Sequence, residues 1–132
     1  MTLQNKYENL ALDSTSQSIL NAVITHVEKY TIGEPQYSFG NTSIAPLASS
    51  DIISFMTTKA EKLAFIYVSG NGDGDFTLKI NTNIVWVGSI NRNNASIHIQ
   101  IPLNINTGDT VSLSVLCNGI GTSTYNATII HG

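Results

Sequence analysis

The sequence predicts a mainly β protein: an antiparallel β-sandwich, jelly-roll-like, of about eight strands, preceded by one N-terminal α-helix. Three observations predict it. Apolar and polar residues alternate with a period of two over several stretches beyond Leu63, which puts one set of side chains on one face of each strand. Turn signals rich in Gly, Asn and Asp separate these stretches at intervals of about eight to twelve residues. Only one segment carries a convincing helical period.

That helix comes first in the chain. Residues 1–13 show no clear period and read as an extended arm or an unframed helix start. Asp13, Ser14, Thr15 and Ser16 form a cluster of N-cap residues, whose side-chain oxygens satisfy the free N–H groups of a first turn. Ile19, Leu20, Val23, Ile24, Val27 and Tyr30 then recur at spacings of three and four. The spacing predicts an amphipathic helix over about residues 14–30, closed by Gly33 and Pro35. Its apolar face has two uses: packing on the β-domain of the same chain, or packing on copies of itself. Two to three heptads are too short to hold a coiled coil alone, so self-association needs an oligomeric globular domain as well.

A Gly/Pro-rich linker places the domain boundary near residue 33, giving an attachment and oligomerisation segment (1–33) and a β-sandwich head (34–132). Gln36 to Phe39 and Ile52 to Met56 read as short edge strands. Leu63 to Val68 is apolar on both faces. Asn71-Gly72-Asp73-Gly74 turns into an alternating strand, Asp75 to Ile80, and Asn81-Thr82-Asn83 turns again. Ile84 to Val87 is once more apolar on both faces. The clearest writing follows. Ala95, Ile97, Ile99 and Ile101 alternate with Ser96, His98 and Gln100; Val111, Leu113, Val115 and Cys117 alternate with Thr110, Ser112 and Ser114. These are two half-buried strands joined through Gly108-Asp109, and the other strands are expected to pack around this pair. Thr122 to Ile130 makes the last strand.

A sandwich strand needs one apolar face, and Leu63–Val68 and Ile84–Val87 each offer two. Large exposed apolar patches mark interaction sites. A second copy of the chain is the expected cover, with Ile19, Val23 and Val27 on the helix and Ile66, Val85 and Val87 on the strands as candidate oligomer-interface residues.

Composition narrows the function. Charged residues make up 11% of the 132, against about 25% in an ordinary soluble domain. The net charge is −3, with six Lys and Arg and no basic run. Nucleic acid, which needs clustered cations against phosphates, is therefore not an expected partner. No apolar run approaches the roughly 20 residues that cross a bilayer, so no membrane partner is expected, and the first residues do not read as a signal peptide. The single cysteine, Cys117, is in phase with core positions and is read as a small buried hydrophobe.

Chemistry-bearing patterns are sparse. Asn71, Asp73 and Asp75 place oxygens at alternate positions of a Gly-rich loop, a weak candidate for calcium and more simply a tight hairpin. His26, His98 and His131 are scattered. No Ser or Cys stands in a suggestive setting with a His and an acid, so no catalytic residue, enzyme activity or cofactor is expected. Trp86, with Tyr37, Tyr67 and Tyr125, is a weak candidate for stacking on sugars.

A short helix, a Gly/Pro hinge and a compact Asn/Ser/Thr-rich β-domain resemble small bacteriophage virion proteins: head fibres, capsid decoration proteins and tail-fibre tips. Ile101 to Leu113, with Gly108-Asp109-Thr110-Val111, is similar to a late strand of C1q/TNF-like jelly rolls, and Thr124 to Ile130 is similar to their last strand. The resemblance implies a structural protein located in the virion, assembled in the host cytoplasm. It implies a homotrimer whose N-terminal segment anchors to capsid or tail proteins and whose head projects outward, with weak adhesion to host cell-surface glycans. A tail-fibre or baseplate receptor-binding tip, or a monomeric carbohydrate-binding sandwich, are the alternatives.

Overall fold

The computed structural model describes the backbone of residues 14–30 and 32–132 and the side chains of residues 15–25 and 32–132. The chain divides into two units between Thr31 and Ile32.

In the first unit, α1 spans Ser14–Tyr30. Ile19, Val23 and Ile24 are exposed, Ile19 to 62%, while Leu20 is half-buried. Gln17 donates to Asn21 and Thr25 donates to the Asn21 carbonyl, the one-turn spacing that brings helical side chains together. The side chain of Val27 lies outside the described residues.

The second unit holds eight strands: β1 (Gln36–Ile44), β2 (Ser49–Met56), β3 (Glu61–Gly70), β4 (Gly74–Ile80), β5 (Asn83–Ile90), β6 (Ser96–Ile105), β7 (Thr110–Cys117) and β8 (Ser123–His131). They form two four-stranded sheets, in orders β1-β8-β3-β6 and β2-β7-β4-β5. Every pairing is antiparallel. Consecutive strands alternate between sheets except β4 and β5, which make a hairpin. Eight strands wound this way make a jelly roll.

One expectation changes here. β6 and β7 do not pair: β6 is an edge of one sheet and β7 is interior to the other. Gly108-Asp109 is a corner between sheets rather than a hairpin. Gly108 takes φ +85°, a conformation that suits glycine, and its N–H donates to the Thr57 carbonyl at 2.8 Å. Asp109 accepts from the Asn106 N–H and from Asn81, both at 3.0 Å. Thr57 donates to the Asn106 carbonyl at 2.6 Å. The corner thus joins the ends of β2, the β4–β5 turn and β7. β1 and β2 are both edge strands, as the short apolar runs suggest, but each is longer than its run because polar residues complete it.

The two inner faces meet in one core. Leu63, Ile66, Val68, Phe76, Leu78, Val111, Leu113, Tyr125 and Ile129 have no exposed surface. Each aliphatic side chain so buried contributes roughly 1.5–3 kcal/mol. Ile66 is therefore core, not open interface. β3 is an interior strand of its sheet, and its Leu63, Ile66 and Val68 turn inward against the facing sheet. Cys117 is buried with them.

Tyr125 is the polar exception in this core. Its hydroxyl donates to the Asp73 carbonyl at 2.6 Å, and its ring meets Phe76 edge-on at 5.8 Å. Burial pushes the Tyr125 phenol up to about 12. Unfolded, it ionises near 10. Below pH 10 the phenol is neutral in both states and its contribution is whole; between 10 and 12 the unfolded chain ionises first, and stability falls. Tyr125→Phe is expected to cost about 1 kcal/mol at pH 8 through the lost hydrogen bond. It should also remove about 2 kcal/mol of the fall in stability between pH 8 and pH 11.5. Urea unfolding at both pH values checks this; an unchanged alkaline fall would contradict it.

Candidate functional site

With the inner faces closed, any site must lie on the outer faces, the sheet edges or the loop ends. The two outer faces differ in chemistry.

The outer face of β2-β7-β4-β5 is hydroxylated at its centre. Register places Thr77 beside Ser114 and Ser112 beside Ser54. At the β5 edge it becomes aliphatic. The pairing of Leu78 with Trp86 and of Lys79 with Ile84 leaves Val85 as an extra residue, a bulge of the kind common at edges. Ile84, Val85 and Val87 are exposed to 61%, 36% and 63%. Val85 and Val87, expected at an interface, thus stand open in the single chain. Trp86 does not. It shares the inward face with Leu78 and Ile90, packs against the core, and its ring closes over Gly88 beside Ile97. Trp86 fills the open side of the sandwich between β5 and β6 and is no free platform for a sugar.

The outer face of β1-β8-β3-β6 is aromatic. Register sets Tyr37, Ile130, Phe65 and Gln100 in one row, and Phe39, Thr128, Tyr67 and His98 in the next. Tyr37 stacks on Phe39 with centroids 6.3 Å apart. His98 lies 5.7 Å from Phe65 and 6.2 Å from Tyr67. Phe39 is 73% exposed and Tyr67 is 44% exposed. The next row is polar: Asn41, Asn126, Ser69 and Ser96, with Asn41 donating to Asn126. Of the aromatics singled out in the sequence, Tyr37 and Tyr67 belong to this face, whereas Tyr125 is buried. Phe39, Phe65 and His98 are new members. Tyr37/Phe39 and Phe65/Tyr67 share a phase at a spacing of two, which the sequence does show; that β8 brings the two strands onto one surface, it does not.

The Asn71–Asp75 loop is engaged by the protein itself. Asn71 Oδ1 accepts from the Thr124 N–H at 2.9 Å. Asp75 accepts from Ser89 at 2.6 Å and from Asn118. The Asp73 carbonyl accepts from Tyr125 and from the Asn118 N–H. Their oxygens pin loops together instead of converging on a cation, and no cluster of three or more His, Cys, Asp or Glu among the described residues suits a metal.

A constellation absent from the sequence reading is also present. His131 Nε2 lies 2.9 Å from Ser38 Oγ, and His131 Nδ1 lies 3.2 Å from Glu61 Oε1. The ring stacks on Phe55 at 4.3 Å. Glu61 and His131 are 8% and 3% exposed, so the inner members are shut away from a substrate. This relay binds β1, β2, β3 and β8 at one end of the sandwich. A residue spacing of 70 between Glu61 and His131 hides it from any motif.

No family model and no curated protein matches the chain. Solved structures do. A capsid chain of Helicobacter pylori bacteriophage KHP30 superposes with a TM-score of 0.53 at 5% identity, over 77% of this chain and 90% of that one. The chain shares its sandwich fold with that capsid chain. A chain of the cyanophage Pam1 capsid gives 0.52 at 10% identity, over 76% and 85%. PirA gives 0.50 at 11% identity, over 69% and 92%. At these identities the likeness concerns the fold.

Proposed function

We propose that the protein is a structural, non-catalytic virion protein of a bacteriophage: a trimeric head fibre or capsid decoration protein. The observation that carries this reading is the pair of phage capsid chains matched over nearly their whole length. Coverage that high in both directions makes each chain similar in size to this one, so a fold of this size has a place in a capsid. The low charge and amide-rich surface suit a particle exterior.

In this reading copies join through the aliphatic strip of β5, Ile84, Val85 and Val87, assisted by Ile19, Val23 and Val27 of α1. An exposed strip of branched aliphatics has little to gain from water and nothing to offer a polar ligand. Residues 1–33 anchor to another virion protein, and the head projects with the aromatic face of β1-β8-β3-β6 free for weak adhesion. A tail-fibre or baseplate tip uses the same parts at another place on the particle.

Removing residues 1–31 tests the anchor. The second unit holds its own core, so the truncated chain is expected to fold, with a β-type circular dichroism spectrum that has lost the helical contribution of α1 and a melting temperature within about 3 °C of the full chain. Particles assembled with it should lack it. Truncated protein that still copurifies with particles would contradict the anchoring role.

A further inference from the structure

The aromatic face runs into a cleft. On the outer side of β3 and β6, an open groove of about 460 Å³ extends from Tyr67 past Ser69, Ser96, Asn126 and Thr124 to Asn71. Its chemistry is specific in three ways. No Asp, Glu, Lys, Arg or His lines it, which disfavours charged ligands. Tyr67 presents a ring that is 44% exposed and steadied edge-on by His98. Polar groups stand unused beside that ring. Asn126 accepts from Asn41 through Oδ1, so its Nδ2 remains a donor. Ser69 and Ser96 make no side-chain hydrogen bond within the described residues.

We propose that this groove binds a neutral oligosaccharide. A pyranose offers a flat C–H face and, around its rim, hydroxyls that both donate and accept. The C–H face fits on the Tyr67 ring, where apolar contact is combined with a polar handle. The sugar hydroxyls meet Ser69, Ser96 and the Asn126 amide, groups able to exchange hydrogen bonds with them in kind. A second protein copy seated here fits less well. It would bury two hydroxyls and an amide that the fold leaves unpaired, at a cost for each one not matched. The open Ile84–Val87 strip carries no such burden. The inference names the site for the adhesive part of the proposed function and is independent of the trimer.

The test uses the full-length protein on an array of neutral and sialylated oligosaccharides, with sedimentation of the same samples. Neutral glycans are expected to bind, and Tyr67→Ala to weaken them about tenfold with the oligomeric state unchanged. Tyr67→Trp should retain binding, and Asn126→Ala should weaken it about fivefold. Three results would overturn the proposal: no neutral glycan retained, equal binding by folded Tyr67→Ala, or a Tyr67→Ala chain that has lost its oligomer. The last would show that this face lies between copies. Absence of glycan binding by an intact trimer would remove the groove and leave the virion reading standing.

Discussion

Replacing His131 with alanine is expected to destabilise the head by about 3–5 kcal/mol. The reason is what the substitution leaves behind. Glu61 keeps its carboxyl on a side chain that is 5% exposed and loses the ring nitrogen 3.2 Å away. Ser38 loses its 2.9 Å partner, and Phe55 loses the ring stacked on it. A buried carboxylate without a partner costs more than the pair itself ever contributed, because water cannot reach in to replace it. In a domain of about 100 residues that loss lowers the melting temperature by more than about 12 °C. Glu61→Gln, which keeps an acceptor for the ring N–H, is expected to cost only about 1 kcal/mol. Thermal and urea unfolding of both variants, compared with wild type, check the contrast. Equal and small effects would mean that the relay is not sealed.

The second large effect concerns assembly. Val87→Glu is expected to weaken association between copies roughly 100-fold, because a carboxylate at the centre of an apolar contact loses its water without gaining a partner. The fold should not change, since Val87 is 63% exposed in the single chain. Ser54→Glu provides the control: it lies on the outer face of the same sheet, beside Ser112, and away from the aliphatic strip. Sedimentation velocity of the two variants separates the cases. Equal behaviour would show that the β5 strip is not the contact.

Much of this architecture is legible from local pattern. Ile97, Ile99 and Ile101 announce a half-buried strand by alternation alone, and Asn81-Thr82-Asn83 announces a turn, realised with Asn81 at φ 57°. Period-two alternation says which residues share a face, but not which strand lies alongside. That is why β6 and β7 read as partners although the corner at Gly108 sends them into different sheets. The same limit hides the functional surfaces. The aromatic face takes residues from β1, β3 and β6, held in place by β8, and only pairing across the sheet assembles it. Ile66 and Val85 both sit in strands that are apolar on two sides, and the sequence gives them the same role. Position in the sheet separates them: β3 is interior and turns Ile66 into the core, while β5 is an edge and leaves Val85 at a bulge facing water. Trp86 follows from the same geometry, turned inward by register to cover the gap beside Ile97.

The account rests on the open strip of Ile84, Val85 and Val87 being an interface between copies of this chain. Sedimentation equilibrium of the full-length protein at micromolar concentration measures that directly. A species of three chains of 14.2 kDa each is the predicted result. A single chain that stays monodisperse and soluble with that strip in water would contradict it.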